Sequence, residues 1–306
     1  MLRFIDLFAG IGGIRLAFEQ AGGRCVFSSE IDPHARETYH ANFKDTPAGD
    51  IREIKASDIP PFDILCAGFP CQAFSIIGTQ GGLNDPRGAL FFEIVRILAH
   101  HKPKAFLLEN VKQLATHKQG ETLQVLLKHL ENLGYSMRYR VLNALDFGLP
   151  QKRERLIFVG FLDAHLAKTF SFDFAKIPYD LAQVLEPNPP QSSLASVYIR
   201  KKRLQSVQNK RLFSPSIWHE NKSGNVSILN HACALRANAS HNYQLVDGVR
   251  HFTPRELLNL MGFPKGFKIV VSPRHLRTQC GNSVCVPVIA TVARHLVELL
   301  KNAQCA

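Results

Sequence analysis

Strand-like and helix-like stretches alternate through the first 160 residues, and this alternation constrains the fold more than any other feature of the 306-residue chain. Leu2 to Phe8 is an apolar run that leads into Gly10-Ile11-Gly12-Gly13. Ile14, Ala17, Phe18 and Ala21 follow at helical spacing, and Gly22-Gly23 closes that helix. Arg24 to Glu30 reads as a second strand, and Pro33 to Phe43 as a helix with proline in its first turn. Strands at Phe62 to Gly68, Ala105 to Glu109, Met137 to Leu142 and Leu156 to Phe161, with helices at Ala89 to His101 and Glu121 to Leu133, continue the pattern. Repeated strand–helix units imply an α/β fold whose mainly parallel sheet is covered on both faces. Ligands of such sheets sit beyond the carboxyl ends of the strands, so the turns after Leu7, Leu65 and Leu108 are expected on one rim.

The alternation stops near residue 175. From Pro187 to His219 there is no acidic residue, while Arg200, Lys201, Lys202, Arg203, Lys210 and Arg211 are all basic. Proline, serine and asparagine break the periodicity there, and the chain's one tryptophan, Trp218, lies in this stretch. Residues 178–275 are therefore expected to form a smaller, irregular domain, with 1–177 and 276–306 forming the larger one, closed by an amphipathic helix from Val286 to Leu300. The net charge of +12 favours a polyanionic partner, nucleic acid ahead of a membrane surface. No secretory or transit pattern opens the chain and no apolar stretch approaches a bilayer's thickness, so a cytoplasmic protein without a membrane partner is expected. The seven cysteines include no C-x-x-C pair, which points to neither a metal site nor a disulfide framework.

Strand, then Gly10-x-Gly12-Gly13, then helix is the geometry that delivers a ligand to a helix N-terminus. Glu30, at the end of the second strand and 20 residues beyond Gly10, stands where a carboxylate takes ribose hydroxyls. Arg15 replaces the third glycine of the G-x-G-x-x-G pattern, which argues against a nicotinamide dinucleotide. Asp50, beside Ile51, suits an adenine amino group or a turn cap equally well.

Cys71 follows the buried strand through Gly68 and stands in the turn Gly68-Phe69-Pro70-Cys71-Gln72, where a thiolate can be exposed and activated. Cys66, inside the apolar run, reads as an inert core thiol. Glu109, at the end of a central strand, is a candidate acid–base or base-reading residue. Gln151-Lys152-Arg153-Glu154-Arg155 precedes the strand from Leu156, aiming Arg153 and Arg155 to one side.

Together, Asp6-Leu7-Phe8-Ala9-Gly10-Ile11-Gly12-Gly13, Gly68-Phe69-Pro70-Cys71-Gln72, Asp85-Pro86-Arg87-Gly88, Glu109-Asn110-Val111, Gln151-Lys152-Arg153-Glu154-Arg155, Arg255-Glu256-Leu257, Met261-Gly262-Phe263-Pro264 and Gly281-Asn282-Ser283-Val284 resemble the DNA cytosine-C5 methyltransferases. These blocks stand in that family's order, and the catalytic half is similar to small bacterial modification enzymes of the HhaI type. The resemblance implies a Rossmann-like methyltransferase fold with a mixed sheet and a target-recognition domain. It implies S-adenosyl-L-methionine as cofactor, held by Phe8, Gly10, Gly12, Gly13, Glu30, Ile31, Asp50, Ile51, Pro70, Leu90, Asn282 and Ser283. Ile31 departs from the aromatic residue many relatives carry there, so a weaker hold on adenine is expected.

The implied mechanism adds the Cys71 thiolate to C6 of a flipped-out cytosine, making C5 nucleophilic enough for methyl transfer. Glu109, if burial keeps it protonated, serves N3 and the exocyclic amine, Arg155 the base oxygen, and Arg153 the thiolate loop or a phosphate. The duplex DNA partner is expected to meet phosphate-contacting Arg200, Lys201, Lys202 and Arg203, and base-reading side chains drawn from Arg236, Asn238, Ser240, His241, Asn242 and Gln244. A monomeric modification enzyme paired functionally with a restriction endonuclease is expected. A transfer-RNA cytosine-C5 methyltransferase and an inactive DNA-binding regulator on the same fold are the alternatives.

Overall fold

A computed structural model describes residues 1–69, 89–237 and 239–305. Two compact units emerge. The first comprises Met1–Leu142, Glu154–Ala175 and Val288–Ala306; the second comprises Asn143–Arg153 and Lys176–Pro287. Against the expected division at 178 and 275, Asn143–Arg153 and the residues up to Pro287 fall with the second unit. Buried Gln151 and Arg153 explain this, because both bond to backbone carbonyls of that unit.

Among the described residues, the first unit is built on six strands: β1 (Arg3–Leu7), β2 (Arg24–Ser29), β3 (Ile64–Gly68), β4 (Ala105–Val111), β5 (Ser136–Asn143) and β7 (Glu154–Phe161). Their order is β2-β1-β3-β4-β7-β5. β1 pairs in parallel with β2 and β3, and β3 with β4, whereas β7 runs antiparallel to β4. The sheet is thus mainly parallel, as the alternation predicts, and mixed, as the family resemblance implies. Strands β1, β3 and β4 read as continuous apolar runs because their residues are buried on both faces.

Local signals set the helices. Helix α1 (Gly13–Gln20) starts after Gly12, and α2 (Pro33–Phe43) is capped by Asp32, whose carboxylate accepts the His34 N–H at 2.9 Å. Helices α3 (Ala89–His101) and α4 (Glu121–Asn132) lay Phe91, Ile94, Ile97, Leu98, Leu123, Leu126, Leu127 and Leu130 into one core with β1, β3, β4 and β7. Burying each such side chain contributes on the order of 1.5–3 kcal/mol.

An 18-residue window within the stretch Pro273–Gln304 is long and apolar enough to cross a membrane by length and composition, with a mean hydropathy of 1.6, contrary to the expectation that no apolar run approaches that length. Its apolar side chains are core residues of this protein instead: Val292, Ala293 and Leu296 are fully buried in the last helix (Val286–Cys305).

The second unit holds a three-stranded antiparallel sheet of β8 (Ile217–Glu220), β9 (Val226–Leu229) and β11 (Gln244–Val246), ordered β11-β8-β9. Trp218 lies under it against Val207 and Val226. Gly248 is left-handed (φ 71°) and a Cβ there would lie 2.3 Å from the Trp218 ring, so only glycine fits. Two residues each of β6 (Gln151–Lys152) and β10 (Ala232–Cys233) pair in parallel. Among the described residues, the α-helices Val197–Gln205, Pro254–Leu260 and Pro273–Asn282 complete the unit.

Candidate active site

Where β1 ends, Phe8, Gly10 and Gly12 all take left-handed backbone, with φ of 57°, 55° and 84°. For the non-glycine Phe8 this costs on the order of 1–3 kcal/mol. Glu30 holds the turn: its Oε2 accepts the Gly10 N–H at 2.7 Å and its Oε1 the Asp32 N–H at 2.8 Å. Burial raises the Glu30 pKa, opposed by these two backbone donors. The two glycines differ in purpose. A Cβ on Gly12 would lie 2.2 Å from Phe43, so close packing of α2 demands glycine there, whereas the space beside Gly10 is open.

This donor set fits an adenosine-containing cofactor. Each Glu30 oxygen spends one lone pair on a backbone N–H and keeps others for hydroxyl donors. Ile31 beside it is 65% exposed and presents an apolar face. Asp50 takes the cap role: it accepts the Arg52 N–H at 3.0 Å, starts the short helix Ile51–Glu53, and also holds the Arg52 guanidinium. That hydrogen-bonded guanidinium keeps the Asp50 carboxyl below its usual range. Ile51 is buried and Leu90 packs against the core.

Behind the turn lies a buried acid of β1. Asp6 of β1 is fully buried, and its Oδ2 accepts the Arg15 N–H of α1 at 3.2 Å, while Oδ1 has no hydrogen-bond partner. Burial pushes the Asp6 pKa up to about 8. The signal was present: an acid inside the apolar strand Phe4-Ile5-Asp6-Leu7 needs a reason to be there.

A second group gathers at the ends of β3, β4 and β7. Gly68 pairs with Glu109 and Val111 with Arg155. Arg155 Nε lies 3.0 Å from Glu109 Oε1, with the carboxylate side chain 11% exposed. A Cβ on Gly68 would lie 3.5 Å from Glu109 Oε2, so glycine leaves room beside the carboxylate. Asn110, buried, donates from Nδ2 to the Phe69 carbonyl at 2.8 Å. The last described residue before Pro70 and Cys71 is thereby tied to the strand carrying Glu109. Pro70 and Cys71 themselves, and the Asp85-Pro86-Arg87-Gly88 block, lie outside the described residues, as does Asn238.

In the second unit, Arg153 is buried and donates to the carbonyls of Leu235 (2.8 Å), Gly281 (2.9 Å) and Ser283 (2.5 Å). It braces two chain segments, at Leu235 and at Gly281–Ser283, a role its place in a charged run concealed. Gln151, fully buried, donates from its amide to the Leu260 carbonyl at 2.8 Å and accepts the Leu235 N–H at 2.9 Å. Asn282 ends the helix Pro273–Asn282 at an exposed position, and Ser283 is buried beyond it.

The basic run does not face outward as a block. Arg203 is 1% exposed and pairs with Glu220 at 2.7 Å, which corrects its reading as a phosphate contact. The acid that neutralises it stands one residue beyond the acid-free stretch and meets it only through the fold. Lys202 shares that acid at 3.2 Å; Arg200 is half-buried and Lys201 exposed. Gln244 is likewise no base reader: it is buried, and its amide accepts the Cys233 N–H and donates to the Cys233 carbonyl. Arg236 lies over the Tyr243 ring (4.8 Å), Ser240 caps the turn His241–Tyr243, and His241 stacks on His251 at 3.8 Å.

Comparison with known proteins agrees with this geometry. The sequence profile of the C-5 cytosine-specific DNA methylases matches residues 2–298. The chain is 51% identical to the type II methyltransferase M.HaeII of Haemophilus aegyptius, covering 98% of this chain and 94% of that one. It is 52% identical, with the same coverage, to M.NgoBI of Neisseria gonorrhoeae, and 40% identical to M.HhaI of Haemophilus parahaemolyticus, over 96% of this chain and 94% of that one. In fold it resembles the Dnmt2 methyltransferase of S. pombe, with a TM-score of 0.75 at 21% identity over 99% of both chains. With the profile spanning nearly the whole sequence and relatives above half identity, the chain belongs to the C-5 cytosine-specific DNA methylases.

Proposed function

We propose that the protein methylates C5 of one cytosine within a specific duplex DNA sequence, through a covalent Cys71 adduct, as the modification enzyme of a type II restriction–modification system. The observation that carries the reading is the Glu109–Arg155 pair beside Gly68, at the strand end from which the chain runs through Phe69 to Cys71. Relatives named as type II methyltransferases support the biological role.

Phe8, Gly10, Glu30 and Ile31 are the residues that would hold S-adenosyl-L-methionine. When bound, it supplies an electrophilic methyl group that an enamine-like C5 can take and an aromatic cytosine C5 cannot. The protein's own residues create that enamine. Cytosine inside a duplex is out of reach, so the base is taken out of the stack. The Cys71 sulfur forms a bond to C6 and the ring's electron pair moves towards N3. Glu109 in its protonated form donates to N3 and accepts from the exocyclic amine, and it takes the proton back as the ring is restored, so negative charge does not build up on the ring. Arg155, held by Glu109, is oriented towards the base oxygen. Asn110 acts as a positioning residue by fixing Phe69, and Arg153 as a brace for the segments at Leu235 and Ser283. Departure of the C5 proton and of the Cys71 sulfur then restores the aromatic ring.

Bisulfite sequencing of DNA from cells expressing the chain tests this reading. We expect C5-methylcytosine at one sequence, lost in Cys71→Ser. Tritiated methyl label appearing only in transfer RNA, or no covalent complex with DNA containing 5-fluorocytosine, would overturn it.

A further inference from the structure

The second unit contains a pocket of about 310 Å³ between the segment around residues 235–244 and the helix Pro273–Asn282. Three arginines line it, Arg236, Arg274 and Arg277, together with Thr278, His241 and Tyr243, and no described lining residue is acidic. Arg274, Arg277 and Thr278 stand at i, i+3 and i+4 of the helix, so one helix face turns all three to the same side. Arg277 Nη1 reaches His241 Nε2 at 3.5 Å, and the His241 ring stacks on His251 with only 18° between planes.

We infer that this pocket is an anion subsite that seats a backbone phosphate of the DNA duplex, with Arg274 and Arg277 as its principal charged donors. The inference rests on the DNA substrate proposed above.

Charge decides between ligands. Burial, and secondarily the neighbouring Arg274, holds Arg277 below its ordinary pKa, so the two cations oppose one another where they stand. Burial, and after it the neighbouring His251 and Arg277, hold His241 down at about 4, so at neutral pH its ring is an uncharged wall. The pocket therefore offers several donors and an unbalanced positive charge. A phosphodiester carries only acceptors and a full negative charge, and it relieves that repulsion. A guanine edge also presents two acceptors, but it is neutral and leaves the arginines opposed. The volume exceeds a lone phosphate and accommodates the attached sugar. Phosphate contacts set register without reading sequence, so the subsite positions the duplex for residues that do the reading.

The test compares full-length wild type with Arg277→Gln, Arg277→Lys and the exposed-site variant Arg274→Gln. Binding to random-sequence duplex DNA and to the methylated sequence is followed by fluorescence anisotropy across salt concentrations. Each Gln variant is expected to weaken binding to both duplexes by the same factor and to lower the slope of log Kd against log salt by about 1. Arg277→Lys is expected to keep the slope. Unchanged slopes in both Gln variants would overturn the subsite. A loss confined to particular base substitutions would also overturn it, because that is base reading. Wild type that methylates no DNA would sink the underlying function instead. Wild type that methylates DNA while both Gln variants bind normally sinks the subsite alone. Arg274 is exposed, so its variant remains informative should Arg277→Gln unfold.

Discussion

Asp6 occupies an environment far from water: fully buried, one oxygen capping α1 through Arg15 and the other without a partner. Cys25, Cys66 and Tyr39 around it are raised as well, each chiefly by burial, and Arg15 is the cation that opposes the rise in Asp6. An exposed aspartic acid titrates near ~3.9, whereas Asp6 titrates at about 8. Between those values the folded chain keeps a proton that the unfolded chain has released. This group's contribution to stability is full below about pH 4 and is lost as pH rises through about 8. Melting temperature is therefore expected to fall between pH 5 and 8 in the wild type, and Asp6→Asn to flatten that slope; an equal slope in both would contradict it. Ile31 gives a second prediction at this scale. It is exposed where an aromatic ring would stack on adenine, so Ile31→Trp is expected to tighten cofactor binding roughly 2- to 10-fold by calorimetry. Both residues were visible in the sequence, but only one had a readable role. Ile31 follows directly on Glu30, whereas the cap made by Asp6 crosses from β1 to α1.

Among the elements, the helix Pro254–Leu260 shows how one side chain can organise a segment. Glu256 is fully buried, accepts the Thr253 N–H in a capping box, and receives both guanidinium nitrogens of Arg250 at 2.7 and 2.8 Å. It also accepts the Glu186 N–H at 2.8 Å. Glu256→Ala would leave Arg250 buried without its carboxylate, and the expected loss is ~3–5 kcal/mol, read as a lower urea midpoint at unchanged m. The capping box is legible, since Thr253-Pro254-Arg255-Glu256 is a helix-start pattern, but the bond to Arg250 is not. Strand β4 repeats the lesson. Its apolar run announces a buried strand, while the bond from Asn110 to Phe69 spans 41 residues and follows only from the parallel pairing of β3 with β4.

For the whole molecule, the net charge of +12 predicts DNA binding that weakens steeply as salt rises, linear on a log–log plot. A flat dependence, measured by anisotropy, would mean the charge serves another purpose. Total charge does not say which cations remain available: Arg203 is spent on Glu220, while Arg274 and Arg277 line an acid-free pocket. The division of the chain shows the same limit, because Asn143–Arg153 reads as part of the first unit and folds with the second. Alternation of strand and helix, the glycine turn and the order of the motif blocks were all legible in the sequence, because each is a pattern among neighbouring residues governed by backbone geometry. Which charges are paired, which acids are buried and which helix face lines a pocket depended on tertiary structure. Those properties arise between residues tens of positions apart, and burial in a low-dielectric interior, rather than residue type, sets their energies.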